Sequence, residues 1–277
     1  MLNVDLHCHS SVSDGLLSPA GVAARACANG VDVWALTDHD EVGGIAAARA
    51  AASDCGMRHV AGVEISVTWA GETLHIVGLN IDETNPALVQ GLIATRSGRQ
   101  RRAEQIGVLL AQEGIPGAYE GALRYVGNPD LISRTHFARY LVEAGVCQNT
   151  HDVFKRYLVE GKPGYVVHRW ASLSDTLSWI HGAGGIAVIA HPGRYSLTLL
   201  QMSVFLDEFK QQGGCGIEVV TGSHTPDQYA EYAKVAQQYG FLASRGSDFH
   251  APGESSVDLG ALPPLPANLT PVWHDWF

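Results

Sequence analysis

The sequence predicts an α/β fold, a mostly parallel sheet or barrel interrupted by a helical insert. Three observations predict it. Short apolar runs rich in Val, Ile and Leu alternate with Ala-rich helical stretches up to residue 79. The rhythm stops near residue 85, and no strong strand signal appears before about residue 165. It resumes from Leu173 onward and continues to Ser244.

Each element has its own signal. Residues 2–6 alternate and read as a strand. Residues 19–29 are Ala-rich and end at Asn29-Gly30, a helix stop. Residues 31–36 form a second strand, 42–55 a second helix, and 59–65 and 73–79 two further strands. Residues 86–112, 132–144 and 150–159 read as helical. Leu173, Leu177 and Ile180 recur at helical spacing. A strand over 185–190, a helix over 197–212, a strand over 216–220, a helix over 226–239 and a strand over 241–244 complete the alternation. The tail with Pro263, Pro264 and Pro266 reads as irregular. No repeat or low-complexity tract is present.

Composition excludes several classes. At 46% hydrophobic and 17% charged the chain is not disordered. No apolar run approaches the ~20 residues of a membrane span. The N-terminus has neither a basic start nor an apolar stretch of signal-peptide type, so a cytoplasmic protein is expected. The five cysteines (Cys8, Cys27, Cys55, Cys147, Cys215) are scattered and form no C-x-x-C pair, which argues against a disulfide framework and suits a reducing compartment. The formal charge is −10, but it is uneven. Residues 96–169 hold 11 of the 18 Lys and Arg and 7 of the 28 acidic residues, a net +4 that leaves the remainder at −14. Cationic metals suit the acidic frame, and an anionic substrate suits the basic insert.

Ionisable residues gather where the strands end, the place where parallel α/β folds build their sites. His7 and His9 are two apart, so on an extended backbone they share a face and Cys8 takes the other. Asp14 follows. Thr37-Asp38-His39-Asp40 comes after the second strand, Glu64 ends the third, and His75 lies within the fourth. His191-Pro192-Gly193 follows the strand 185–190, and Asp248 and His250 repeat the i, i+2 spacing. Any one of these has an ordinary explanation, and a lone His75 in an apolar strand reads as a core residue. Together they supply His7, His9, His39, His75, His191 and His250 with Asp14, Glu64 and Asp248, enough for two or three metal ions.

Asp5-Leu6-His7-Cys8-His9, Thr37-Asp38-His39-Asp40, Ala190-His191-Pro192 and Ser247-Asp248-Phe249-His250 resemble the four motifs of the PHP (polymerase and histidinol phosphatase) family of the amidohydrolase superfamily. Order and spacing match, and Glu64 and His75 fall where that family has two further ligands. The resemblance implies an α/β fold of distorted (β/α)7 barrel type with a trinuclear metal centre. The barrel would comprise residues 1–95 and 166–277, with 96–165 an inserted helical, substrate-capping subdomain. By the resemblance, His7 and His9 hold one metal, Glu64 and Asp248 link it to its neighbours, His75 and His191 complete a second, and Asp14, His39 and His250 hold a third. Two or three divalent ions are expected, manganese first, with zinc, iron or cobalt as alternatives.

The insert, with Ser133-Arg134-Thr135-His136 and Gly161-Lys162-Pro163, resembles that of stand-alone members acting on 3′,5′-nucleoside bisphosphates or short RNA. The implied activity is hydrolysis of the 3′-phosphate of a 3′,5′-nucleoside bisphosphate. A hydroxide shared between metals would be the nucleophile. No G-x-S-x-G motif offers a serine nucleophile. His191, His250 and Asp248 are the catalytic candidates, with His191 or His250 as proton donor to the leaving oxygen. Arg134, His136, Arg194 and Lys162 are the substrate-binding candidates, because guanidinium groups suit phosphate.

The Arg-rich run 96–102 is expected to be a solvated surface. At least one of Asp38 and Asp40 is expected to orient a ligand histidine, and Asp5 is a similar candidate. Glu218 is expected to be structural, Trp34, Trp69, Trp170 and Trp179 to be core or rim, and His59, His151, His168, His181, His224 and His274 to be structural or exposed. The alternatives are a 5′-to-3′ exonuclease on short 5′-phosphorylated RNA, a histidinol-phosphate phosphatase, a non-catalytic metal-binding module, and an amide or lactone hydrolase. The expected partner is a small nucleotide, with short RNA as the alternative. No membrane and no obligate protein partner is expected.

Overall fold

The computed structural model describes residues 2–276. Its strands form one seven-membered sheet in chain order: β1 (Val4–Asp5), β2 (Val33–Leu36), β3 (Arg58–Trp69), β4 (Glu72–Leu79), β5 (Ile186–Ile189), β6 (Gly216–Thr221) and β7 (Leu242–Gly246). The ends of this sheet meet. Leu6 N donates to Arg245 O at 3.0 Å, Asp248 N to His7 O at 2.8 Å, and His9 N to Phe249 O at 2.8 Å. Closure brings the backbones so near that a Cβ on Gly246 would lie 2.3 Å from His7 Cβ, so only glycine fits there. The barrel seen in the sequence is therefore the fold, and seven strands nearly close it.

One strand departs from the mostly parallel expectation. β4 runs against both β3 and β5, while the other neighbouring pairs are parallel. The cause is the two-residue connection Ala70-Gly71, which is too short for a crossover and turns back through positive φ angles of 50° and 89°. β3 also runs past Glu64 to Trp69, so that carboxylate lies within a strand and not at its end.

Helices cover the outside. Trp34 and Leu36 of β2 pack on α1 (Pro19–Ala28) and α2 (Ile45–Asp54), which is why both helices are alanine-rich: Ala23, Ala26, Ala48 and Ala52 let them lie close to the sheet. Val4 of β1, Val33 of β2, Val77 of β4 and Val188 of β5, with Leu6 just after β1, form one cluster inside the barrel.

The long connection between β4 and β5 carries the insert. The helical stretch expected over 86–112 is broken at Ser97-Gly98 into α3 (Pro86–Arg96) and α4 (Arg99–Gln112). The two halves join different cores. Leu88 and Leu92 of α3 pack with the barrel, as do Leu173 and Leu177 of α8 (Leu173–Gly182). Ile106 and Leu110 of α4 pack instead with α5 (Ala118–Leu123), with Phe137 and Leu141 of α6 (Arg134–Glu143), and with Val153 of α7 (Thr150–Val153). α9 (Leu199–Gln211) and α10 (Pro226–Tyr239) flank the last strands. No helix among the described residues is long and apolar enough to cross a membrane.

Candidate metal centre

All nine residues singled out as ligands converge at one end of the barrel. The local reasons differ. His7 and His9 leave β1 on the same side, while Cys8 turns into the outer core, where Trp34 donates its indole N–H to the thiol at 3.0 Å. His75 lies mid-strand in β4, and it reaches the same end because that strand runs in reverse: it pairs with Ser66, two residues beyond Glu64. His191 and Asp248 take positive φ angles of 29° and 54°, which non-glycine residues seldom adopt. A buried acceptor holds the first, since His191 N donates to Glu218 Oε2 at 2.6 Å.

Glu64 is the hub. It is fully buried, and five imidazoles surround its two oxygens. Oε2 lies 3.2 Å from His7 Nε2, 3.2 Å from His9 Nε2 and 3.0 Å from His39 Nδ1. Oε1 lies 2.9 Å from both His75 Nδ1 and His191 Nε2. Asp248 Oδ1 is 3.3 Å from His9 Nε2 and 3.6 Å from His7 Nε2. Asp14 Oδ1 faces His250 Nε2 at 3.4 Å, and His9 and His39 at 3.9 Å. The donor atoms form four overlapping groups: His9, Asp14, His39 and His250; His7, His9 and Asp248; His7, Glu64 and His191; His39, Glu64 and His75.

The donors fit divalent cations better than they fit one another. His7 Nε2 and His9 Nε2 face each other at 3.2 Å, and His75 Nδ1 and His191 Nε2 at 3.3 Å. A nitrogen pair satisfies itself only if one member carries a proton and the other does not. His9 Nδ1, Asp14 Oδ1, His39 Nδ1, Glu64 Oε2 and His191 Nδ1 are buried without a hydrogen-bond partner, a costly state unless a cation takes the lone pairs. Burial alone would raise the carboxyl pKa values. The surrounding imidazoles outweigh it and hold Asp14, Glu64 and Asp248 well below the usual range. Burial likewise opposes protonation of His9, but the Asp248, Glu64 and Asp14 carboxylates facing it raise its pKa to about 10. The same carboxylates that attract a proton to His9 would attract a metal ion. Divalent metal binding is what this donor set supports, through hard oxygen and borderline nitrogen ligands.

The groups that orient these ligands are not the ones expected. Asp38 accepts from Ser10 N, Ser10 Oγ and Ser13 Oγ at 2.7, 2.6 and 2.6 Å, so it shapes the loop between His9 and Asp14. Asp40 holds Ser66 and Arg99, and Asp5 accepts from Ser247 N and Gly260 N. None of the three bonds to a ligand ring. Glu218 does: its Oε1 lies 2.7 Å from His7 Nδ1. A carboxylate there keeps the proton on Nδ1 and leaves the Nε2 lone pair facing the cluster. His250 is set the same way by its own chain, with Nδ1 2.9 Å from Asp248 O.

A cavity of about 410 Å³ opens above the centre. The barrel supplies one wall through Asp14, His39, Glu64, His75, His191, Asp248 and His250. The insert supplies the facing wall through Arg99, Arg102, Ser133, Arg134, Thr135, His151, Phe154 and the adjoining Trp170. Of the Arg-rich run, Arg101 is exposed as expected, while Arg99 and Arg102 turn inward. Arg99 is buried against Asp40 and lies over Trp170 at 4.6 Å. Arg102 donates to Val166 O and sits 5.4 Å from the same indole. Arg134 donates to Leu158 O and sits over Phe154.

Neither Arg102 nor Arg134 has a carboxylate partner among the described residues. Burial, with repulsion from Arg134 and Arg99, pushes Arg102 down to about 9. Arg194 is half exposed at the mouth and pairs with Asp248 at 3.1 Å.

Two substrate candidates lie elsewhere. Lys162 lines a separate groove with Glu113, Asp152, Lys155 and Arg156. His136 is fully buried in the first turn of α6, where Nδ1 accepts from Ser133 N at 2.9 Å, and it does not line the cavity. His151 and Trp170, expected to be structural or rim residues, do line it. Glu218 carried the same signal as Glu64, a carboxylate inside an apolar strand. Arg102 carried only its position on a helix whose inner face the sequence does not mark.

A sequence model of the PHP domain matches residues 5–164. The 3′,5′-nucleoside bisphosphate phosphatase of Chromobacterium violaceum is 50% identical over 275 residues, covering 99% of this chain and 96% of that protein. A 5′-3′ exoribonuclease of Haemophilus influenzae is 43% identical over 270 residues, covering 98% and 97%. A solved amidohydrolase structure from Chromobacterium violaceum superposes with a TM-score of 0.96 at 50% identity, covering 99% of this chain and 95% of that one.

Proposed function

The chain belongs to the PHP domain family, and from that premise we propose that it is a metal-dependent phosphoesterase that removes the 3′-phosphate of 3′,5′-nucleoside bisphosphates. One observation carries the reading. A single cavity has seven of the nine candidate metal donors on one wall and two guanidinium groups without carboxylate partners, Arg102 and Arg134, on the other. A substrate with one phosphate leaves one wall unmatched. A substrate with two phosphates matches both.

Each residue then has a role. His7, His9, Asp14, His39, Glu64, His75, His191, Asp248 and His250 would hold two or three divalent ions, manganese first. When bound, such ions lower the pKa of a water and neutralise phosphoryl oxygens as charge builds. Glu218 holds the His7 proton on Nδ1. Arg102 and Arg134 bind the 5′-phosphate, and Arg194, released from Asp248, binds the phosphate being cleaved. His191 is not a proton donor in this reading, because burial and Arg194 lower its pKa to about 3. Protonation of the leaving oxygen falls to water in the open cavity, or to His250 where its Nε2 is not taken up by an ion. Residues 96–165 serve as the substrate-capping subdomain. A cytoplasmic setting agrees with the five free cysteines.

The second reading is a 5′-to-3′ exonuclease on short RNA, favoured by the Haemophilus relative. Both activities would grip a 5′-phosphate and cut the next ester. The test, with manganese added, is phosphate release from a 3′,5′-bisphosphate nucleotide, a 3′-monophosphate, a 5′-monophosphate and histidinol phosphate, and release of 5′-mononucleotides from a 5′-phosphorylated RNA. Release from the bisphosphate that stops at the 5′-monophosphate is expected. Release from histidinol phosphate alone overturns the two-wall argument, and silence across the panel with metal bound overturns the enzyme.

A further inference from the structure

The first turn of α6 touches the barrel at one carboxylate. Ser133 Oγ and Thr135 Oγ1 both donate to Asp14 Oδ2, at 3.2 and 3.0 Å. The other oxygen, Oδ1, is buried, has no hydrogen-bond partner, and faces the nitrogens of His9, His39 and His250. Asp14 itself sits in the irregular loop after β1, where no strand holds its side chain. Its rotamer is set from the insert. A second tie joins the same helix to the opposite loop. Arg139 Nε and Nη2 donate to the Glu254 carboxylate at 3.0 and 2.8 Å, and Glu254 lies four residues after His250. One helix thus grips both loops that carry Asp14 and His250.

We propose that Thr135, with Ser133, is a positioning residue for the metal position formed by His9, Asp14, His39 and His250, so that the inserted segment completes a site whose ligands all belong to the barrel. The inference rests on the metal reading above. The two hydroxyls occupy Oδ2 and restrict rotation of the carboxylate, which leaves Oδ1 aimed at the three imidazoles. Groups that hold a ligand in this way change metal affinity by about 10- to 100-fold. The other three donor groups contain no residue touched by α6, so only one ion should respond.

Manganese binding to the full chain, followed by the electron paramagnetic resonance of the free ion, tests this. Thr135→Val deletes the hydroxyl at constant shape and leaves the Ser133 cap of α6 in place. Thr135→Ala is a second deletion, and Thr135→Ser restores the hydroxyl. The expected result is one ion weakened by about 10-fold or more in both deletions, the remaining ions unchanged, circular dichroism unchanged, and affinity regained in Thr135→Ser. Deletions that bind every ion as tightly as the unaltered chain overturn the proposal, as does a Thr135→Ser variant as weak as Thr135→Val. An unaltered chain that binds no manganese overturns the metal reading as well, so the two failures are distinguishable.

Discussion

Replacing Arg102 by methionine should make the protein more stable and a worse enzyme. In the free protein its guanidinium is partly buried, faces Arg134 and Arg99, and has no carboxylate partner. Its pKa falls from the usual arginine range to about 9, and at 1.36 kcal/mol per unit this is roughly 5 kcal/mol against the charged form. A group whose folded pKa is depressed and that is charged at neutral pH carries that cost in full below pH 9 and loses it progressively as pH rises further. Residual solvent and the Trp170 face reduce it, so about 1–2 kcal/mol is the realistic recovery. For a chain of this length that is a rise in Tm of about 2–5 °C in anion-free buffer. A bound phosphate normally offsets the same cost, and a hydrogen bond to a charged group contributes about 1.5–3 kcal/mol. The kcat/KM for the bisphosphate should therefore fall by about 10- to 150-fold, while the slower turnover of a 3′-monophosphate stays within about threefold. Thermal melting and phosphate release on the two substrates give the answer. A lower Tm with equal losses on both substrates would show Arg102 to be structural and refute the reasoning.

Three further outcomes are expected. His9→Ala and Asp248→Ala should each lower kcat by about 10³-fold or more with circular dichroism little changed, because the donors sit on loops beyond the packed strands; retention of most activity counts against the metal assignment. Glu218→Gln keeps the shape but no longer dictates the His7 proton, so manganese affinity should drop about 10- to 100-fold in a metal titration; an unchanged affinity removes Glu218 from the centre. Burial, helped by Arg49, holds His59 down at about 4. The unfolded chain takes up that proton first, so stability contributed by His59 is present above pH 6.5 and is lost as pH falls toward 4. Denaturant melts at pH 7 and 4.5 should show His59→Phe losing about 1–2 kcal/mol less than the unaltered chain, and equal losses would rule this out.

The barrel was legible because its strands are short apolar runs with clear stops, and the candidate ligands were legible because most sit in local patterns such as His7-Cys8-His9 and Asp248-Phe249-His250. Residues that work through distant partners were not. Glu218 meets His7 across 211 positions, and Asp40, which reads like its counterpart, is occupied by Arg99 and Ser66. The run 96–102 looked like a solvated face because a helix alone does not reveal which side another subdomain covers. The break at Ser97-Gly98 divides that run between two cores and turns Arg99 and Arg102 inward.

The sequence by itself determined the alternation of elements, where that alternation is interrupted, and which residues are the candidate metal donors, since these depend on local periodicity and on chemistry carried by single residues. Tertiary structure decided the choice of Glu218 over Asp38 as the orienting carboxylate and the packing of α6 that puts Thr135 on Asp14. Those depend on closure and docking, where contacts between residues more than a hundred positions apart are set by how whole elements pack and not by the residues beside them.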